Sequence, residues 1–221
     1  MFYFHKTPWL LRKLYPHCLW KLPVEKGEKV LYLTFDDGPH PTITPFVLEE
    51  LQRWNARATF FCIGKNVAAH PEVYRRILEE GHRTGNHTYN HLNGWKTPGD
   101  KYFRDIMETT KYVDSNLFRP PYGRISGFQV KLLKGLEAYK DTERRFEVIM
   151  WDVLSGDFDL SIDGERCALN VIGNARPGSI IVFHDSEKAF PRMKEALPKV
   201  LRYFTEKGFR FERIGLTAAE D

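Results

Sequence analysis

Long uninterrupted hydrophobic runs are missing from this 221-residue chain. A membrane-spanning helix needs about 20 consecutive, mostly apolar residues, so none is expected. The N-terminal stretch from Met1 to Pro16 has neither a continuous apolar core nor a small-residue cleavage site, and it does not read as a secretory signal. Cysteine is scarce: Cys18, Cys62 and Cys167 lie far apart, with no Cys-x-x-Cys. An odd, scattered set argues against a disulfide framework and for reduced thiols. Together with the lack of a signal, it leads to the expectation of a cytoplasmic protein. Blocks of like charge are also absent. The 33 Lys and Arg and 29 Asp and Glu leave a net charge of +4, dispersed along the chain. No nucleic-acid partner is expected from that pattern, whereas a nearly neutral sugar would suit it.

What the chain does contain is an alternation of strand-like and helix-like segments. Apolar, strand-like runs fall at residues 30–35, 58–64, 117–119, 146–151, 179–183 and 209–214. Helical spacing of apolar residues falls at 44–54, 71–80, 100–116, 126–139, 163–175 and 190–207. Thr44 and Pro45 read as an N-cap and first helical position, and Gly81 and Gly208 as C-terminal stops. Roughly seven strand–helix units without a sequence repeat point to a parallel α/β architecture. Residues 1–29 are aromatic, basic and broken by Pro8, Pro16 and Pro23. They read as an N-terminal extension packed on the domain formed by 30–221, with a short membrane-surface contact as the alternative.

The polar residues of interest recur at one place in this alternation. Asp36-Asp37, His87, Arg119, Trp151-Asp152 and His184-Asp185 each follow the C-terminal end of a strand, and in a β/α barrel those ends share one face. Adjacent side chains on an extended strand point to opposite sides. Asp36 and Asp37 can both turn inward only if the strand ends there, as Gly38-Pro39 suggests. One carboxylate can then bind a metal while the other acts as a base. His87 and His91, four residues apart, would stack on one face of a helical turn. With Asp37 they make an open two-His, one-carboxylate site for zinc or a similar divalent ion. Asp152 and Asp185 read as strand-end turn residues, with a role in supporting the site residues from behind as the alternative.

Four motifs in register resemble the polysaccharide deacetylases of the NodB-homology type, carbohydrate esterase family 4. They are Thr34-Phe35-Asp36-Asp37-Gly38-Pro39, His87-Thr88-Tyr89-Asn90-His91, Arg119-Pro120-Pro121-Tyr122-Gly123 and Val182-Phe183-His184. The resemblance implies a distorted (β/α)7 barrel and metal-dependent removal of acetyl groups from N-acetylated sugars of peptidoglycan or chitin-like glycans. It implies Asp37, His87 and His91 as ligands of one divalent ion, zinc first, with cobalt or nickel as alternatives. Asp36 matches the general base, Arg119 the arginine that orients it, and His184 the general acid, with Asp157 as that histidine's acidic partner. The backbone N–H of Tyr122 matches an oxyanion donor. Pro121, Tyr122, Trp151, Phe158 and Val182 fall at substrate-contacting positions. Leu154 and Phe158 stand where many members carry Asp and Trp, which changes the wall expected around the acetyl group. An O-acetyl esterase or cyclic-amide hydrolase on the same fold, or a glycan-binding protein without turnover, are the competing readings.

Overall fold

The computed structural model describes residues 3–135 and 144–215. Among them, nine strands form one curled sheet: β1 (Cys18–Leu19), β2 (Val30–Asp36), β3 (Ala58–Cys62), β4 (Arg83–Asn86), β5 (Leu117–Phe118), β6 (Glu147–Ile149), β7 (Val153–Leu154), β8 (Ile180–His184) and β9 (Arg210–Phe211). The order is β1-β6-β5-β4-β3-β2-β8-β7, with β9 paired to the start of β2. All of these pairings are parallel. The C-terminal ends therefore share one rim, as a distorted (β/α)7 barrel requires.

The central strands are buried on both faces, which is why they read as continuous apolar runs. Their period of two still sorts side chains into layers. Leu31, Leu33 and Phe35 of β2, Phe60 of β3 and Ile181 and Phe183 of β8 face the helices and join the main core. Phe61, Leu117, Ile149 and Ile180 fill the barrel interior instead. The same alternation sends Thr34, Asp36, Val182 and His184 toward the inside.

The helices are α1 (Trp9–Leu14), α2 (Ile43–Arg53), α3 (Gly64–Ala69), α4 (Pro71–Glu79), α5 (Gly99–Thr109), α6 (Gly127–Leu133), α7 (Gly164–Asn174) and α8 (Phe190–Glu206). Three boundaries differ from the sequence reading. α2 starts earlier than Thr44, because His40 Nδ1 accepts the amides of Thr42 and Ile43 while the Thr44 hydroxyl is committed to Asp185. α5 stops at Thr109, where the Thr109 and Thr110 hydroxyls donate back to the carbonyls of Asp105 and Met107, a local bond that competes with the helix. α6 stops at Leu133, short of the expected Tyr139, with Lys134 as its cap and Gly135 turning the chain at φ +71°; residues 136–139 lie outside the described residues.

β6 and β7 are joined by Met150, Trp151 and Asp152 and do not pair with each other; β1 lies along the free edge of β6, and the sheet is open between β1 and β7. The N-terminal chain crosses this gap. Lys6 forms an antiparallel bridge to Val153, Leu154 N–H donates to His5 O at 2.9 Å, and Thr7 N–H donates to Asp152 O at 2.9 Å. Further along, Cys18 pairs with Val148 of β6 and Lys21 bridges Ser179. Asp152 is fully buried and bonded to Lys6, Arg12 and the Ser179 hydroxyl. It is thus no turn residue but the internal anchor of the crossing, since a buried carboxylate needs such partners. Cys18, Cys62 and Cys167 are unpaired and buried, and among the described residues no helix is long and apolar enough to span a membrane.

Candidate active site

β2 ends at Asp36 and the next residue turns out of the strand: Asp37 has φ +83°. This left-handed step brings both carboxylates to the rim. Gly38 is needed beside them, because a Cβ there would stand 2.1 Å from Asp185 Oδ2. Asp185, read from sequence as a turn residue, is buried and accepts the Gly38 amide at 3.0 Å and the Thr44 hydroxyl. It fixes the turn that carries Asp37. Burial, with Asp37 nearby, pushes its carboxyl up to about 7, while the Thr44 and Gly38 donors pull the other way.

Asp36 is buried and meets Arg119 Nη1 at 2.7 Å. Arg119 is itself fully buried. Its guanidinium also donates to the Thr34 hydroxyl at 2.7 Å and to the carbonyls of Ile149 and Met150 at 3.1 and 3.0 Å, and it lies 4.1 Å over the Phe61 ring. A buried charge with this many donors engaged is held in one orientation, and Asp36 with it.

His87 and His91 follow β4. They do not occupy a helical turn, as their spacing suggested. Thr88 and His91 have φ of +64° and +56°, and the loop is shaped from outside. The Asp105 carboxylate on α5 accepts the amides of Tyr89 and Asn90 at 2.8 and 2.9 Å and the Asn90 side chain at 2.6 Å. Asn86 Oδ1 takes the Thr88 amide at 2.9 Å. His87 Nδ1 donates to the Arg119 carbonyl at 2.8 Å, which leaves Nε2 as the free lone pair. Burial lowers the His87 imidazole to about 4, so it is neutral at ordinary pH, the form that ligates metals.

His87 Nε2 and His91 Nε2 lie 3.7 and 3.2 Å from Asp37 Oδ1, and one ligand atom from each residue falls within 4.8 Å of the others. Asp37 Oδ1 is buried without a hydrogen-bond partner. Burial alone would raise its pKa, but His91, His184 and His87 hold it well below the usual carboxylate range. A buried, ionised, unpartnered oxygen between two imidazoles is costly unless a cation completes it. The donor set of one carboxylate and two imidazoles fits a divalent metal.

His184 ends β8 in register with Asp36. Asp157, in the loop after β7, grips it twice, accepting the His184 amide at 2.6 Å and sitting 2.8 Å from Nδ1. Burial pushes this imidazole down, yet the Asp157 charge and hydrogen bond, helped by Asp37 and Asp36, outweigh it and raise the pKa to about 10. Arg192 of α8 donates to the Asp157 carbonyl at 2.5 Å and fixes the loop from behind. Sequence reading missed Arg192 and Asp105 and gave Thr44 only a capping role, because their partners are remote in the chain and no motif surrounds them.

The other expected residues line the rim. Pro121 is buried; Tyr122 is exposed with φ +60°, its ring 4.6 Å from that of His91. The amides of Gly123 and Arg124 close the turn onto Pro120 and Pro121; the Tyr122 amide is not part of that pattern. Trp151 packs over Gly123, where a Cβ would come within 2.6 Å of its ring. Phe158 presents its ring to His184 at 5.5 Å and 83°. Val182 and Leu154, paired across β8 and β7, are buried.

Comparison with known proteins meets this geometry from the other side. The profile of the polysaccharide deacetylase family matches residues 24–139. A peptidoglycan-N-acetylglucosamine deacetylase of Bacillus cereus is 36% identical over 214 residues, covering 93% of this chain and 96% of that protein. A chitooligosaccharide deacetylase of Azorhizobium caulinodans is 32% identical over 169 residues, covering 73% of this chain and 76% of that one. Among solved structures, a peptidoglycan N-acetylglucosamine deacetylase in complex with a naphthyl-substituted N-oxidanyl-benzamide aligns with a TM-score of 0.81 at 32% identity, covering 94% of this chain and 95% of that one. With profile, full-length relatives and fold in agreement, the chain belongs to the polysaccharide deacetylase family.

Proposed function

We propose that this protein hydrolyses the N-acetyl groups of N-acetylglucosamine units in a peptidoglycan or chitin-type glycan, releasing acetate, with one divalent ion, zinc in first place, held by Asp37, His87 and His91. The observation that carries the reading is the unpartnered Asp37 Oδ1 facing two imidazole nitrogens beside two pre-paired acid–base groups. When bound, such an ion supplies Lewis-acid polarisation of the acyl oxygen and lowers the pKa of water. Asp36, oriented by Arg119, accepts the proton of the attacking water. The Tyr122 amide is the donor available to the oxyanion that develops as the carbonyl carbon becomes tetrahedral. His184, kept protonated by Asp157, delivers its proton to the departing amine nitrogen. An amine is a poor leaving group without that proton, which is why an amidase needs this half of the site more than an esterase does.

The relatives support the substrate class, since those quoted are named for N-acetylglucosamine in peptidoglycan and for chitooligosaccharides. The N-oxidanyl-benzamide bound by the structural relative is a hydroxamic acid, a metal-chelating class, in keeping with the metal reading. The test is acetate release from chitooligosaccharides and peptidoglycan fragments by protein stripped with chelator and resupplied with zinc, cobalt or nickel. Activity returning with metal is expected, ranked by ion and by glycan. Acetate released from O-acetylated xylan but not from N-acetyl glycans would replace the amide substrate with an ester. Full activity after exhaustive chelation would overturn the metal assignment.

A further inference from the structure

The loop from Leu154 to Asp159 carries both Asp157, which orients His184, and Phe158, whose ring faces that imidazole. Its inner side is held by Arg192. Its outer side is held by the first residues of the N-terminal crossing. The Tyr3 ring lies 5.0 Å from Phe158 and 5.0 Å from His5 in an edge contact. The Tyr3 hydroxyl donates to Asp159 Oδ2 at 2.7 Å. His5 joins the loop through its carbonyl, which accepts the Leu154 amide. Between these grips the loop bends at Gly156, with φ +83°, where a Cβ would come within 3.0 Å of the Tyr3 hydroxyl and 3.2 Å of His5 Cε1. The loop and the N-terminal chain are fitted to each other at van der Waals distance. Phe158 touches His184 on one side and Tyr3 on another, so the ring's position depends on both.

We propose that Tyr3 is a positioning residue: by packing on Phe158 and bonding to Asp159 it sets how closely the Phe158 wall stands to His184, and so the size of acyl group the site accepts. The inference rests on the deacetylase reading and adds to it a specificity element contributed by the N-terminal chain. The physical case is that Phe158 has no polar group of its own to fix it, unlike an indole. An aromatic ring at a rim is fixed by what packs against it, and a displacement of about 1 Å near reacting atoms can cost on the order of a hundredfold in rate. Tyr3 reaches no reacting atom; it acts through Phe158.

The experiment compares wild type, Tyr3→Ala, Tyr3→Phe and Arg12→Ala on N-acetyl and N-propionyl chitooligosaccharides. It also follows hydrogen exchange of the 154–159 amides in metal-free protein. Tyr3→Ala is expected to raise KM for the N-acetyl substrate and shift the acetyl-to-propionyl ratio of kcat/KM by roughly tenfold toward the larger acyl group. It should also lose protection at the Asp157 and Asp159 amides, which bond within the loop. Tyr3→Phe keeps the ring and should retain most of the acyl preference. Arg12→Ala breaks the ion pair with Asp152 at the other end of the crossing; it should lower Tm without moving the ratio. An unchanged ratio and unchanged exchange in Tyr3→Ala would overturn the proposal. A ratio that moves equally in Arg12→Ala would reduce Tyr3 to general stabilisation and overturn it as well. If wild type released no acid from either glycan, the deacetylase reading would fail, and the exchange data would still decide whether Tyr3 positions the loop.

Discussion

Asp36, Arg119, His184 and Asp157 meet their partners within the protein: guanidinium to carboxylate at 2.7 Å, imidazole to carboxylate at 2.8 Å. Asp37, His87 and His91 stand on irregular backbone, two of the three at positive φ, and leave a buried carboxylate oxygen with no hydrogen-bond partner. The first group occupies strand ends or is bonded to one, and is complete as it stands. The second is built by loops held from outside and is incomplete without a cation. On the proposed function the difference follows from the tasks: acid–base groups that must keep one orientation are pre-paired, whereas a ligand set must be convergent and unsatisfied.

Removing a ligand attacks the incomplete half and should have the largest effect. His91→Ala leaves Asp37 and His87 as the remaining ligands; loss of stoichiometric metal and a fall in acetate release of about 10³-fold or more are expected, read by metal content and by an acetate assay. Asp157→Asn attacks the complete half and should leave metal content unchanged. His184 is protonated below its folded pKa, raised to about 10 mainly by Asp157 against burial; a divalent ion on Asp37 would remove part of that support. Without the Asp157 charge, burial dominates and the imidazole loses its proton at lower pH. The alkaline limb of the kcat profile should therefore move to lower pH, with a rate loss of about 10²-fold at neutral pH. An unmoved limb would mean that His184 is not the proton donor.

The smallest effect is expected from the residue that shapes the loop of the proposed metal ligands without being one of them. Asp105→Ala removes the acceptor for Tyr89 and Asn90. Metal affinity should weaken by about 10-fold to 100-fold, and activity should recover at raised metal concentration. Calorimetric titration of the chelated variant would measure this. Recovery at high metal separates loop support from ligand loss.

The same contrast explains what the sequence revealed. β2, β3 and β8 were legible because parallel strands buried on both faces must be apolar throughout, and their ends located Asp36 and His184. Two-residue strands such as β1 and β7 carry too little pattern to be seen, yet they border the gap that the N-terminal chain closes. The His87–His91 spacing suggested a shared ligand role but the wrong backbone, since the loop is dictated by Asp105, 14 residues beyond His91. Asp152 and Asp185 looked like turn residues because their partners, Lys6, Arg12 and Thr44, are remote in sequence. A buried carboxylate is recognised by its partners, and single-sequence spacing does not reveal those.

On the proposed function the two adjacent carboxylates divide the roles of base and ligand, and Asp36→Asn separates them. Zinc titration by calorimetry and acetate release would be measured on the same preparation. The expected result is one metal bound per chain with affinity close to wild type, and acetate release reduced by about 10²-fold to 10⁴-fold. Metal loss in this variant, or activity near wild type with metal bound, would contradict the assignment of Asp36 as base and Asp37 as ligand.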